Sequence, residues 1–112
     1  MEIDVRSQGV AKVITLRGRL NLGEPVDRLR STFEDLLASG ENRLVVDVGE
    51  MPTVDSSGIG LLTRFLTSAK QQGGSLKLVN PVKFVLQTLK LVGLLNLFEV
   101  FTDTQTAAAS FE

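Results

Sequence analysis

The sequence predicts an α/β fold: a mixed, mostly parallel β-sheet of four to five strands, opened by an antiparallel hairpin and packed against about four helices. Three observations carry this. Short apolar or alternating runs recur along the chain, separated by longer stretches whose apolar residues repeat at three- and four-residue spacings. Glycine closes each of the three longest helical stretches, at Ser39-Gly40, at Gln72-Gly73-Gly74 and at Gly93. The length of 112 residues suits a single domain, residues 1–112, able to bury about two-thirds of its unfolded surface.

Glu2-Ile3-Asp4-Val5-Arg6 alternates polar and apolar residues, as a half-buried strand does. Gln8-Gly9 supplies a turn, and Val10 to Leu16 a second strand, which together make the hairpin. After Gly18 breaks the strand, Asn21 is placed to cap a helix that carries Pro25 in its first turns. Val26, Leu29, Phe33, Leu36 and Leu37 then share one helical face. Arg43 to Val48 is short and mostly apolar, typical of a strand covered on both faces. A second helix opens at Asp55-Ser56-Ser57-Gly58, with Ile59, Leu62, Phe65, Leu66 and Ala69 as its core stripe. Ser75 to Val79 makes another strand, and Pro81 introduces a third helix burying Val82, Val85, Leu86, Leu89 and Val92. Phe98 to Phe101 alternates as a last strand, and Asp103 caps a final helix through Ala107-Ala108-Ala109. Strands alternating with helices imply the parallel part of the sheet.

Absences narrow the function. Without Cys there are no disulfides, thiolate metal sites or thiol nucleophiles. Without His there is no Ser-His-Asp triad and no His-bearing metal motif, so neither catalysis nor a metal or other cofactor is expected. A net charge of −1 supplies no field to gather nucleic acid or anionic lipid, and neither is expected as a partner. No Trp or Tyr is available for a base-stacking platform. No apolar run approaches the ~20 residues of a membrane span. Acidic residues open the chain where a signal peptide would carry bases, so a cytoplasmic location is expected.

The strongest local feature is Asp55-Ser56-Ser57-Gly58-Ile59-Gly60, where a strand hands over to a helix. A helix N-terminus offers unpaired N–H groups and a partial positive charge, and glycines let another backbone approach. The hexapeptide taken alone fits a plain helix cap better than a binding site, because short motifs match often by chance. On the following helix, Ser57, Leu61, Arg64 and Ser68 fall away from the core stripe. That places Leu61 near the surface beside an Arg, an interface signal. Phe84 and Leu91 also lie off the buried face of the third helix, where cover by the C-terminal segment is expected. Asp47, with Met51-Pro52 and Asp55, has something of a phosphoryl-accepting receiver, but the acidic pair after the first strand and the lysine before Pro81 are missing. Asp47 is therefore read as a strand-end residue hydrogen-bonded locally. Thr63 stands where a dinucleotide fingerprint needs its third glycine.

Taken in order, these pieces resemble the STAS domain family, specifically the stand-alone bacterial anti-sigma factor antagonists. The resemblance runs from the hairpin through Leu16-Arg17-Gly18-Arg19-Leu20-Asn21 and Leu44 to Val48. It continues through Val54-Asp55-Ser56-Ser57-Gly58-Ile59-Gly60-Leu61, Leu89 to Leu94, and Phe98-Glu99-Val100-Phe101 to the terminal helix. It implies the STAS fold, and a protein that is a substrate rather than an enzyme. Ser56 matches the serine phosphorylated by a kinase that is also the anti-sigma factor, with Ser57 as a minor acceptor. The unphosphorylated form would bind that partner and free a sigma factor, phosphorylation would end the interaction, and a phosphoserine phosphatase would restore it. The implied contact set is Asn21, Asp55, Ser57, Gly58, Ile59, Gly60, Leu61 and Arg64. Asn21 stands where relatives often carry an acidic residue, and Thr88 where they are usually apolar. The alternative on the same fold is a non-switching scaffold or adaptor subunit, as in stressosome or lipid-transport assemblies. The alternating last strand offers a pairing edge, consistent with a monomer or a weak homodimer.

Overall fold

Alternation at the start of the chain produces a hairpin whose two strands differ sharply in burial. In the computed structural model, which describes residues 1–112, β1 (Glu2–Gln8) is largely exposed and β2 (Ala11–Arg17) largely buried. The turn between them uses Gly9 at φ 58°, a conformation that costs glycine little. Three strands follow: β3 (Arg43–Glu50), β4 (Ser75–Val79) and β5 (Val100–Phe101). The sheet order is β1-β2-β3-β4-β5, with β1 antiparallel to β2 and every other pairing parallel. The helices are α1 (Glu24–Ala38), α2 (Ser56–Gln71), α3 (Lys83–Leu91) and α4 (Thr104–Ala109), so strand and helix numbers match the expected architecture.

Period-two burial divides the side chains of the sheet between two cores. Ile14, Leu16, Leu44, Val46, Val48, Leu76 and Leu78 join the main core beneath the larger helices. Ala11, Val13, Val45 and Val79 join a smaller one closed by Ala107 and Ala108 of α4. Adjacent residues Val45 and Val46 are both fully buried, which is the two-sided cover expected of β3. Between α1 and α2 the Phe33 and Phe65 rings meet at 4.9 Å, giving that helix pair a rigid aromatic contact.

Several local expectations are corrected. Asn21 does not cap α1: the N-cap is Gly23, at φ 111° and with no side-chain cap, and Asn21 sits in the preceding loop. The loop is held instead by a carboxylate distant in sequence, described below. Val92 is 51% exposed because α3 ends at Leu91 and the chain leaves through Gly93 in the left-handed region. The last strand contains only Val100 and Phe101; Phe98 turns into the main core after a 3-10 turn, Leu95–Leu97, that the alternation does not reveal. Of the two residues expected to be partly covered, Leu91 is left in solvent at 88% exposure, whereas Phe84, at 54%, is close to half covered. Asp103 does cap α4, accepting a hydrogen bond from the Thr106 amide at 2.7 Å.

Candidate functional site

At the carboxyl end of the central strands, two loops are bound together before α2 begins. The Gly18 amide donates to the Glu50 carbonyl at 3.0 Å, and the Leu20 amide to the Thr53 carbonyl at 3.2 Å. Leu20 and Val54 then form an isolated parallel bridge, and the Asp55 amide donates back to the Leu20 carbonyl. Asp55 completes the junction. One carboxylate oxygen accepts from the Gly58 amide at 2.9 Å, which caps α2, and the other from the Leu22 amide at 2.8 Å. A single side chain thus fixes the α2 N-terminus and the loop leading into α1. That second bond, across the fold, is what no local pattern could show.

Hydrogen bonds from the Leu22 and Gly58 amides hold the Asp55 carboxyl below its ordinary value near 3.8. The stability it confers is complete above that ordinary value and disappears as pH falls through the depressed folded one. In Asp55→Asn, the amide oxygen can still accept from Gly58, but the amide nitrogen meets another donor at Leu22. About 1 kcal/mol of stability is expected to go at neutral pH. The loss of stability between pH 7 and pH 3 is expected to be smaller in the variant than in the parent, as read by urea unfolding at both pH values. An equal loss in both proteins would separate Asp55 from the acid transition.

Ser56, the first residue of α2, is exposed, and Ser57 is half-buried. Gly58 is buried because nothing larger fits: a Cβ there would lie 2.6 Å from the Leu20 carbonyl oxygen and 2.7 Å from a Val54 methyl. Gly60 is the opposite case, exposed and with open space where its Cβ would be. Ile59 faces the core at 4% exposure. Leu61 is also 4% exposed, not near the surface as its helical position predicts, because α1 packs along that side of α2. Arg64 is exposed, lies over the neighbouring Phe65 ring at 5.4 Å and forms no salt bridge within the chain. Asp47 bonds locally, accepting from the Gly49 amide at 3.0 Å. No group of three or more His, Cys, Asp or Glu is arranged to hold a metal, and no helix is long and apolar enough to cross a membrane.

Between α1 and α2 lies a cleft of about 300 Å³ bordered by Leu22, Val26, Arg30, Ser57, Gly60, Leu61 and Arg64. It brings together four of the sequence-derived residues, with Ser56 and Asp55 adjoining them in the chain, and leaves Asn21, Gly58 and Ile59 off its wall. Leu22, Val26 and Arg30 were not among the sequence candidates. Leu22 carried a signal: it is a large apolar residue in a polar loop, and it is 76% exposed.

Comparison with known proteins places this geometry in a family. The STAS domain model matches residues 2–107. A Bordetella bronchiseptica protein named as a candidate anti-sigma factor antagonist, BtrV, is 25% identical over 100 residues, 89% of this chain and 85% of its own. Among solved structures, a candidate anti-sigma factor antagonist of Thermotoga maritima superposes with TM-score 0.89 at 20% identity, covering 97% of this chain and 93% of that one. The Bacillus anti-sigma factor antagonist SpoIIAA matches in its unphosphorylated form with TM-score 0.82 at 19% identity, covering 97% and 96%. Its phosphorylated form matches with TM-score 0.79 at 18% identity, covering 99% and 100%. With its family model spanning nearly the whole chain and its fold shared with these structures, this chain belongs to the STAS domain family.

Proposed function

We propose that this protein is an anti-sigma factor antagonist that acts as a phosphorylation-controlled switch between partners. Unphosphorylated, it binds a serine kinase that is also the anti-sigma factor, using the face built from the start of α2 and the cleft beside α1. Phosphorylation of Ser56 ends that complex, and a phosphoserine phosphatase restores it. The observation that carries the reading is the position of Ser56: an exposed hydroxyl in the first turn of α2, between an anchored carboxylate at Asp55 and Ser57, which borders the interhelical cleft. Leu22 at the cleft and the ungated backbone at Gly60 give a partner an apolar contact and a close approach. The names of BtrV and SpoIIAA, and a SpoIIAA structure in phosphorylated form, support the same reading.

A helix N-terminus tolerates a phosphate, so modification at Ser56 leaves α2 intact and acts on the surface alone. The test is incubation with ATP, Mg²⁺ and the serine kinase/anti-sigma proteins of the same genome, followed by intact mass. One phosphate on the parent and none on Ser56→Ala is the expected result; Ser57→Ala should keep it. Phosphate on Ser57 alone would move the site by one residue. No phosphate with any kinase, on folded protein, would leave the non-switching scaffold as the reading.

A further inference from the structure

At the far end of α2, about 20 Å along its axis from Ser56, the molecule has a second and larger cavity. Its volume is about 570 Å³, within the range of small-molecule sites. Arg43 at the start of β3, Lys70 in the last turn of α2 and Lys77 in β4 line it, opposed by one carboxylate, Glu99. The chain as a whole has a net charge of −1, so this is a local concentration of positive charge and not part of a basic surface. Arg43 and Lys70 are exposed and form no salt bridge within the chain.

Lys77 is built into the cavity wall. It is 6% exposed; its ammonium donates to the Ser110 hydroxyl at 2.6 Å, meets Glu99 at 3.0 Å and lies over the Phe111 ring at 4.1 Å. Lysine is almost never this buried without a partner, and Glu99 is that partner, so the net positive charge of the site comes from Arg43 and Lys70. The nearby backbone contributes no free donors at the helix end, because the Gly73 and Gly74 amides bond to the Lys70 and Ala69 carbonyls. Any anion would be held by side chains. Three cations against one carboxylate suit a dianion, and the guanidinium fork of Arg43 suits phosphate oxygens in particular. Leu97 and Phe111 add an apolar wall beside them.

We propose that this cavity binds a small phosphate-bearing organic molecule, its phosphate among Arg43, Lys70 and Lys77 and its organic part against Leu97 and Phe111. The proposal is independent of the switch at Ser56. The test is an amide chemical-shift titration of the full chain with D-ribose 5-phosphate and with inorganic phosphate, each against sodium chloride at matched ionic strength. Saturable shifts at Arg43, Ser75, Lys77 and Leu97 are expected, with the sugar phosphate binding at least about fivefold more tightly than phosphate. The double variant Arg43→Ser/Lys70→Ser alters two exposed side chains, so it should fold, and it should lose at least about tenfold in affinity. Arg19→Ser/Lys83→Ser removes the same charge at exposed positions off the cavity and should lose less than about twofold. Shifts that grow without saturation, follow chloride, or survive in the Arg43/Lys70 variant would overturn the site. Equal affinity for phosphate and sugar phosphate would overturn it as a metabolite site.

Discussion

Protein phosphorylated on Ser56 is expected to bind its kinase/anti-sigma partner at least about 100-fold more weakly than unmodified protein. The phosphate brings roughly −1.5 to −2 charges at pH 7. They arrive next to Asp55, which is held ionised by two amide hydrogen bonds and cannot relieve the repulsion by taking up a proton near neutrality. To keep the complex, the partner would have to desolvate this dianion against a surface shaped for a serine hydroxyl, at a cost of several kcal/mol. About 2.7 kcal/mol is already 100-fold in affinity. Isothermal titration of the partner with phosphorylated and unmodified protein measures the difference directly, and Ser56→Ala should bind like the unmodified form. Thermal unfolding of the phosphoprotein should shift by no more than a few degrees, because the helix dipole favours the added charge. Binding within about threefold of the unmodified form would sink the switch even if Ser56 is the phosphorylated residue.

How much of this was legible in the sequence depends on whether the cause was local. Helix stops at Gly40, Gly73 and Gly93 are local, and each of these glycines takes the left-handed conformation expected of a stop. The cap of α4 by Asp103 is local too. Leu61 shows the limit: a helical wheel identifies the side facing the sheet, but not that α1 covers an adjacent side as well. Asn21 shows a second limit. It has the chemistry of a cap, yet the loop is pinned by Asp55 from the other side of β3, and the first position able to enter α1 at φ 111° is Gly23. The motif around Ser56 is legible because several residue types coincide there with a strand-to-helix change. Leu22, Val26 and Arg30 are not, because they reach the cleft from another helix and its loop. The cationic cavity takes one basic residue from each of β3, α2 and β4, three separated segments whose meeting no local pattern shows.

Three glycines that look alike in sequence are expected to respond very differently to alanine. Gly74→Ala should be the most damaging, since its Cβ would run into the carbonyl of Asn42, backbone that is itself bonded to the Ser75 amide. Gly58→Ala comes next: its Cβ would press on the Leu20 carbonyl and Val54, the bridge that joins the two site loops. Overpacking of this kind costs about 1–3 kcal/mol, and more where the obstacle is backbone that cannot rotate away. For a domain of this size that lowers the melting temperature by roughly 4–12 °C for Gly58→Ala, with a larger drop for Gly74→Ala. Gly60→Ala meets nothing within 4 Å and replaces glycine inside a helix, which should stabilise the fold by about 0.5–1 kcal/mol. Yet Gly60 borders the cleft, so the same methyl stands where the partner's backbone is proposed to approach. Calorimetry of the three variants and one titration with the partner therefore separate two reasons for a glycine. A stable Gly60→Ala protein with undiminished binding would move the contact surface off this face of α2, whereas a stable Gly58→Ala protein would mean the loops at Leu20 and Val54 give way more easily than their bridge implies.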